Sequence, residues 1–171
     1  MLFDSQAGRR LSVMPLLEEK LFLIESRRAA GFPTRKRLSV AQLAGLPLIL
    51  PTGSHGLRST LESAFARAKF KPKVIAEIDS LAMLMDAVDS GLGCTLQPWA
   101  AVARFADAGQ RFVLTELRDP LALRTSALCS LSDDELSPAA LAARVVLADC
   151  TREAVRSGRW VGARLTGETV A

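Results

Sequence analysis

The sequence predicts an α/β fold, because short apolar strands alternate with amphipathic helices along most of the chain. Of its 171 residues, 49% are hydrophobic and 23% are charged, which is typical of a globular chain and not of a disordered or low-complexity one. Alternation of strands and helices is the signature of parallel βαβ units. The length is enough for one domain or two small lobes.

The first half of the chain begins with a short apolar strand at Leu21–Ile24. Ser39–Gly45 reads as one helical turn with a serine N-cap and a C-terminal glycine. Pro47–Pro51 is a buried strand bounded by two prolines. An amphipathic helix is predicted for Ser54–Phe70, with one apolar face and with charged side chains facing away from it, namely Arg58, Glu62 and Arg67.

The middle of the chain repeats the pattern. Val74–Ile78 is a predicted strand, and the helix after it has Ser80 or Asp79 as its N-cap and stops at Gly91. Gly93–Leu96 is another short strand. Pro98 suits a first helical turn, so Trp99–Ala108 is predicted to be a helix ending at Gly109.

The last third contains two predicted strands, Phe112–Leu117 and Leu121–Leu131. Ser137-Pro138 opens a long helix that fades near Ser157-Gly158. The stretch from Gly158 to Ala171 loses its periodicity, and we expect a frayed tail.

Charge is distributed unevenly along the chain. The net charge is +4, but residues 1–73 carry 13 basic and 5 acidic side chains, whereas residues 74–171 carry 9 and 13. A basic half can attract anionic small molecules or nucleic acid; the alternative is an ordinary solvated face. Few aromatic residues and no tyrosine argue against a stacking platform for single strands.

The three cysteines, Cys94, Cys129 and Cys150, are widely spaced and form no CxxC pair, which suits a reducing compartment. No signal-peptide pattern opens the chain, and glycines and prolines break its longest charge-free run. We therefore expect a cytoplasmic protein. The acidic run Asp133–Glu135 is interpreted as a solvated turn and not a metal site, and we expect neither metal nor cofactor.

Three turns stand out because each joins the end of a strand to the start of a helix: Pro51–Gly56, Asp79-Ser80 and Gln97-Pro98. In open α/β sheets these edges line the ligand crevice, and free amide groups with the positive helix end favour an anion there. Thr52 and Ser54 add hydroxyl donors, and Gly53 allows close approach. The alternative is that Ser54 only caps its helix.

An enzymatic function is not favoured by the sequence. A nucleophilic pair of Cys94 with His55 is conceivable, but Cys94 lies in a short apolar strand and is expected to be buried and inert. His55 is interpreted as a hydrogen-bonding residue of a cleft or a surface residue. Gly91-Leu92-Gly93 lacks the third glycine of a dinucleotide fingerprint and opens a strand.

The order of these segments resembles the effector-binding domain of LysR-type transcriptional regulators. The resemblance covers roughly residues 2–155 and rests on the order and spacing of several short motifs, namely Pro15–Ile24, Leu43-Ala44 with Pro47–Pro51, Gly56-Leu57-Arg58, Glu77-Ile78-Asp79, Gly91-Leu92-Gly93, Pro98 and Leu136–Ala140.

The resemblance implies a type 2 periplasmic-binding-protein-like fold with two lobes and a small effector in the cleft between them. Residues 20–120 would form lobe two, and residues 1–19 and 121–171 an incomplete lobe one. Effector contacts in lobe two would come from Pro51, Thr52, Gly53, Ser54 and His55. Ser80 and Thr95 are further candidates.

The family's winged helix-turn-helix has no counterpart in this sequence, so we interpret the chain as truncated at its N-terminus and expect DNA contact only through a missing domain. The expected partners are an anionic effector and further copies of the chain. Alternatives are a free-standing cytoplasmic solute-binding protein, an inhibitory oligomerisation partner of full-length regulators, and an enzyme on the same architecture.

Overall fold

The computed structural model describes residues 11–29, 37–53 and 56–167. The chain divides into two compact units: unit 1 is residues 1–19 with 124–171, and unit 2 is residues 20–123. Strand β1, Leu11–Ser26, contributes residues to both units. It is four times longer than the apolar run that predicted it. In the part of the chain that is described, no helix has the length and apolar character needed to cross a bilayer.

Unit 2 is built on strands that run in one direction around β1. These are β2 (Arg37–Leu38), β3 (Pro47–Leu50), β4 (Lys73–Glu77), β5 (Thr95–Pro98) and β6 (Phe112–Leu117). Strand β2 is parallel to β6, and β3 is parallel to β4. The expectation of parallel units is wrong for β1, which contains the predicted strand Leu21–Ile24 but is antiparallel to both β5 and β6. Glu25 and Ser26, which lie beyond the predicted strand, also belong to β1 and pair with β6.

Helices α1 (Gly56–Arg67) and α2 (Leu81–Asp89) cover two separate apolar clusters of unit 2. Leu21 and Leu23 of β1 belong to the cluster of α1, whereas Ile24 belongs to that of α2. This division follows from the alternation of side chains along a strand. The predicted turn at Ser39–Gly45 is a 3₁₀ helix over Val40–Leu43, with Ser39 at its N-cap and Gly45 at a φ of 82°.

The helix predicted for Trp99–Ala108 is wrong. A 3₁₀ turn spans Trp99–Ala101, and a short helix, α3, spans Ala108–Arg111. Backbone amides of Val102, Phe105 and Ala108 each bond the carbonyl three residues earlier. Because a 3₁₀ helix has three residues per turn, this spacing places the side chains of Trp99, Val102 and Phe105 on one side of the segment, where they pack in one cluster with α2. In an α-helix, with 3.6 residues per turn, the same three side chains would point in different directions.

Unit 1 consists of the first part of β1 with β7 (Leu123–Leu131), α4 (Pro138–Arg156) and β8 (Ala163–Leu165). Residue Leu123 itself belongs to unit 2. The long helix begins as predicted, because the Ser137 hydroxyl accepts from the amide of Ala140. The strand predicted from Leu121 starts two residues later.

The frayed tail predicted after Gly158 is wrong over the described residues, because β8 pairs with β1 through Leu17–Leu165, Glu18–Arg164 and Glu19–Ala163. Gly158 and Gly162 have φ values of 73° and 76°, which let the chain turn back. Trp160 and Ala163 pack against the apolar cluster of unit 1. The segment is therefore held by the packing of these few side chains, although its sequence has no regular apolar pattern.

A buried ion pair joins three segments of unit 1. Glu19 is 1% exposed, and its Oε2 accepts from Nε of Arg124 at 2.8 Å. The indole Nε1 of Trp160 donates to Oε1 of Glu19 at 2.8 Å. Both carboxylate oxygens of Glu19 are therefore satisfied by residues from β7 and from the turn before β8.

We expect the Glu19→Gln substitution to destabilise unit 1 by roughly 1.5–3 kcal/mol, because it removes the negative charge from the acceptor of the hydrogen bonds that the mostly buried Arg124 side chain donates to Glu19. Urea unfolding followed by Trp160 fluorescence measures this loss. The adjacent Glu18 pairs with Arg164 at an exposed position, so Glu18→Gln is the matched control with a cost of about 0–1 kcal/mol. Equal effects of the two substitutions would contradict the prediction.

Gly93 lies where β3 and the segment before β5 approach closely. A Cβ atom built on Gly93 would stand 2.6 Å from the carbonyl oxygen of Pro47 and 3.0 Å from Cδ1 of Ile75. The same carbonyl accepts from the amide of Cys94 at 2.9 Å. Glycine at this position therefore permits the contact between the two strands.

Gly93→Ala is expected to lower the free energy of unfolding by about 1–3 kcal/mol, since the methyl group would force β3 away from its neighbour. Urea unfolding monitored by circular dichroism tests this. Gly109→Ala is the control, because a Cβ at Gly109 meets nothing within 4 Å. An unchanged midpoint for Gly93→Ala would show that the strands separate without cost.

Candidate functional site

The candidate site is the edge of unit 2 at which β3 and β4 end. Pro51 follows β3 directly, and Asp79 comes two residues after the end of β4. The amide of Ile78 donates to the carbonyl of Leu50 at 2.9 Å, which keeps the two strand ends level. Helix α2 starts at Leu81, so two of the turns selected from the sequence meet at this edge.

Thr52 is held by the carboxylate of Asp79. The Thr52 amide donates to Oδ1 at 2.9 Å, and its hydroxyl oxygen lies 3.0 Å from Oδ1 and 2.9 Å from Oδ2. Thr52, which the sequence analysis selected as a hydrogen-bond donor to an anionic ligand, thus donates to a carboxylate in this structure. That anion belongs to the chain itself.

Arg58 also turns toward this edge, whereas the sequence pattern placed it on the side of α1 that faces away. Its side chain is 13% exposed. Nη1 donates to the carbonyl of Pro51 at 2.9 Å and to Oε1 of Glu77 at 2.7 Å, and Nε donates to Glu62 at 2.9 Å. The guanidinium reaches back over the first turn of the helix because its fork can bind a carbonyl and a carboxylate together.

The other predicted residues of this edge have different surroundings. Pro51 is buried, and a Cβ on Gly53 would meet nothing within 4 Å. The hydroxyl of Ser80 accepts from the amide of Met83 at 3.5 Å, so Ser80 is the N-cap of α2. Ser54 and His55 lie outside the described residues, and with them the alternative that Ser54 caps α1.

Thr95 is not at the end of its strand. It is the first residue of β5, three residues before Pro98, and it pairs with Ile24 of β1. It is completely buried, and its hydroxyl has no hydrogen-bond partner within the described part of the chain. Because Ile24 packs with α2, Thr95 faces the same cluster, and the structure does not bring it to Thr52.

Comparison with known proteins identifies the family. The model of the LysR substrate binding domain matches residues 1–151. This chain belongs to the LysR substrate-binding domain family. The resemblance seen in the order of its motifs is thereby confirmed.

Relatives of this LysR-type domain are transcriptional regulators. The chain is 29% identical over 161 residues to the HTH-type transcriptional regulator BbuR of Bordetella bronchiseptica, covering 94% of this chain and 49% of the relative. It is 28% identical to the nitrogen assimilation regulatory protein nac of Klebsiella aerogenes, covering 78% and 42%. The chain thus spans about half the length of the curated relatives it matches.

Solved structures confirm the type 2 periplasmic-binding-protein-like fold. The regulatory domain of Synechocystis PCC6803 CcmR in complex with 2-PG matches with a TM-score of 0.74 at 17% identity, covering 88% of this chain and 72% of that one. The effector binding domain of QuiR in complex with shikimate matches with a TM-score of 0.71 at 18% identity, covering 88% and 69%.

Two residues of the edge were not selected as site residues from the sequence. Asp79 entered the sequence analysis as a possible cap of α2 and as part of the Asp79-Ser80 turn, and Arg58 entered it as a polar residue of α1 and as part of the Gly56-Leu57-Arg58 motif. The signal for Asp79 is its position just after a strand parallel to β3, since parallel strands end at a common edge. No sequence signal placed the guanidinium of Arg58 on the carbonyl of Pro51.

In this LysR-type domain two groups outside the Thr52 turn, Glu25 on β1 and Cys94 just before β5, have strongly raised pKa values. Glu25 is 2% exposed and its Oε1 has no partner within the described residues. Burial raises the pKa of Glu25 to about 7. Burial, with the nearby Glu25 carboxylate, raises the pKa of the Cys94 thiol to about 12, so Cys94 stays a thiol at neutral pH, as its apolar setting predicted.

Glu25→Gln is expected to stabilise the domain at pH 8 by up to roughly 3 kcal/mol, because glutamine resembles the protonated acid. Because the pKa of Glu25 is raised from 4.5 to about 7 in the folded state, the folded chain loses stability as the pH rises through that interval. The advantage of the variant should therefore shrink as pH falls from 8 toward 5. Urea unfolding at each pH measures the difference.

Glu116 provides the contrasting control. Its hydrogen bond and ion pair with Lys20 lower its pKa, so Glu116→Gln should destabilise the domain at neutral pH. A Glu25→Gln variant that is less stable than the unsubstituted chain at pH 8 would contradict the assignment.

Proposed function

We propose that this chain is the effector-sensing part of a LysR-type transcriptional regulator and that its ligand is a small molecule carrying an anionic group. The family match over residues 1–151 carries this proposal. Two structural neighbours were obtained with shikimate and with 2-PG, both of them small acids. We further propose that unit 2 corresponds to lobe two of the family and unit 1 to part of lobe one.

The site on unit 2 would include the turn at Pro51–Gly53. Its backbone is anchored on both sides, by the bonds of Thr52 to Asp79 and by the bond of Arg58 to the Pro51 carbonyl. A turn held in this way is preorganised, so a ligand pays little entropy for ordering it. Gly53 leaves open space where a side chain would otherwise stand.

Regulation would follow from a difference in affinity. A ligand that binds one state of the domain more tightly than another shifts the population toward that state. In a full-length regulator the shift would change how its subunits engage DNA, and the coupling free energy would be the same whether it is measured at the ligand or at the DNA. The sign of regulation depends on which state binds the operator.

The first test is thermal unfolding of the full chain with a panel of small organic acids and inorganic anions. A ligand that binds only the folded state adds about 2.7 kcal/mol at a concentration of one hundred times its Kd. We expect one member of the panel to raise the melting temperature in proportion to the logarithm of its concentration. A transition that no member shifts would count against an effector site in this chain.

The turn is then tested with matched substitutions. Thr52→Ala removes the hydroxyl and its hydrogen bonds to Asp79 while keeping the backbone amide bond, so the ligand-induced shift should shrink. Gly53→Ala should leave the unliganded melting temperature unchanged, since the new methyl group meets nothing, but should clash with a ligand seated on the turn. Thr60→Ala is the control, because the Thr60 hydroxyl lies only against the carbonyl of Gly56 in its own helix. A full ligand shift in both turn variants would remove the turn from the site.

A further inference from the structure

The outer face of α4 in unit 1 is apolar, although it is exposed to solvent. The structure describes every residue from Ala139 to Cys150, and Asp149 is the one charged residue among those that are exposed there. The other exposed residues are all apolar, namely Ala139, Ala142, Ala143, Val145, Val146, Leu147 and Cys150. A surface helix normally carries polar side chains opposite its buried stripe, so an exposed apolar face of this length indicates an interaction surface.

Helix α1 shows how an ordinary solvated face is composed in this chain. Its exposed positions include the charged residues Glu62 and Arg67. On α4, by contrast, the aliphatic residues Val145, Val146 and Leu147 are 56%, 58% and 55% exposed. Covering these side chains removes apolar surface from water, which favours association.

Val146 lies at the centre of the outer face of α4. It is two residues from the buried Ala148, which places it about 200° away around the helix axis. Ala142 and Cys150 lie one turn before and one turn after Val146, on the same line along the helix. Because both of these neighbours are small, a second helix can approach this line closely.

The two ends of α4 carry charges of opposite sign. The turn before the helix contains the acidic run Asp133–Glu135, whereas Arg152 lies in its last turns and Arg159 just beyond its end. Asp133 and Arg159 are equally far from Val146 along the chain, thirteen residues in each direction. Two copies of α4 that pack antiparallel about Val146 therefore bring the acidic end of each copy against the basic end of the other. A parallel arrangement would bring like charges together.

Some of these charges also form ion pairs within the chain. Asp133 pairs with Arg144 at 2.7 Å and Arg152 pairs with Asp149 at 2.8 Å, and the two carboxylates remain 71% and 65% exposed. Exposed pairs of this kind contribute little to stability. We therefore assign affinity to the apolar face, and the orientation of the two helices to the charges at their ends.

We propose that the outer face of α4 is an interface with a second copy of this chain, in which the two α4 helices pack antiparallel about a two-fold axis near Val146. A two-fold contact between identical chains is the commonest symmetry of oligomers, and it requires a surface that is complementary to itself. The apolar centre and the oppositely charged ends of α4 meet this requirement. The interface involves neither an effector nor the Thr52 turn, so its failure would leave the proposed function unaffected.

The first test is the oligomeric state of the full chain. In sedimentation velocity at increasing concentration, we expect the unsubstituted chain to reach twice its own mass of 18.4 kDa. Val146→Glu places two carboxylates opposite each other at the axis and should weaken the association at least about tenfold. Leu121→Glu is the matched control, because Leu121 is 64% exposed and lies in unit 2, and it should associate as the unsubstituted chain does. Circular dichroism checks that both variants are folded.

A pair of cysteines tests the antiparallel orientation. Ala142 of one copy should lie opposite Cys150 of the other, since each residue is four positions from Val146. Ala142→Cys should therefore give a disulfide-linked dimer under mild oxidation, which a non-reducing gel detects. Cysteines at 142 and 150 of one chain cannot pair, because eight helical residues separate them by about 12 Å. The same substitution combined with Cys150→Ser should abolish the link.

Four results would overturn the inference: a chain that stays monomeric at the highest concentration, an association that Val146→Glu does not weaken, a variant with Ala142→Cys that gives no disulfide-linked dimer, or a link through Cys150 in the unsubstituted chain, which indicates parallel helices. The cross-link decides if Val146→Glu does not fold. A different protein, or further residues of a longer chain, as the occupant of this face would give the first of these results.

Discussion

The pairing of one long strand, β1, organises everything else in this protein. In unit 2, residues Leu21–Ile24 pair with β5 and residues Phe22–Ser26 pair with β6, and in unit 1 residues Leu17–Glu19 pair with β8. Its alternating side chains divide the core of unit 2 into the two clusters covered by α1 and α2. A slip of one residue would exchange the two faces along the whole strand. The hydrophobic pattern of β1 therefore sets both the register and the separation of the clusters.

Two acids on β1 show how the same desolvation is handled in opposite ways. Glu19 is buried, and its carboxylate is satisfied by Arg124 and by the indole of Trp160. Glu25 is equally buried, but one of its oxygens has no partner in the described part of the chain, and burial raises its pKa to about 7. The hydrogen bonds of Glu19 join separate segments of the chain, whereas burial without a full set of partners favours the neutral form of Glu25. The two acids differ because Glu19 lies beside Arg124 and Trp160 and joins their segments, whereas burial of Glu25 lowers the stability of the fold when its carboxyl group is ionised.

The sequence predicts those parts of the fold that depend on local patterns. The spans of β3, β6, α2 and α4 follow from apolar periodicity and from capping residues such as Ser80 and Ser137. Prediction from the sequence is wrong where a few buried side chains, and not a regular apolar pattern, determine the structure. The three-residue turns after Pro98 and the strand at Ala163–Leu165 are the two examples. The same limit applies to the site. The Thr52 turn could be selected from strand–helix order, but the contact with Asp79 spans 27 residues, and no local pattern encodes such a distance.

That contact changes what the turn can do chemically. Turns between parallel strands and helices are expected to bind anions because their amide and hydroxyl groups have no partner in the chain. At Thr52 this condition does not hold, since its amide and its hydroxyl are directed at the carboxylate of Asp79, in the turn that follows β4. The general architecture therefore supplies the location of the turn, and the carboxylate of Asp79 holds the turn there through its hydrogen bonds with Thr52. Because such a contact comes from side chains and not from the backbone, proteins of one fold can differ in how this turn is held without any change in strand order or register.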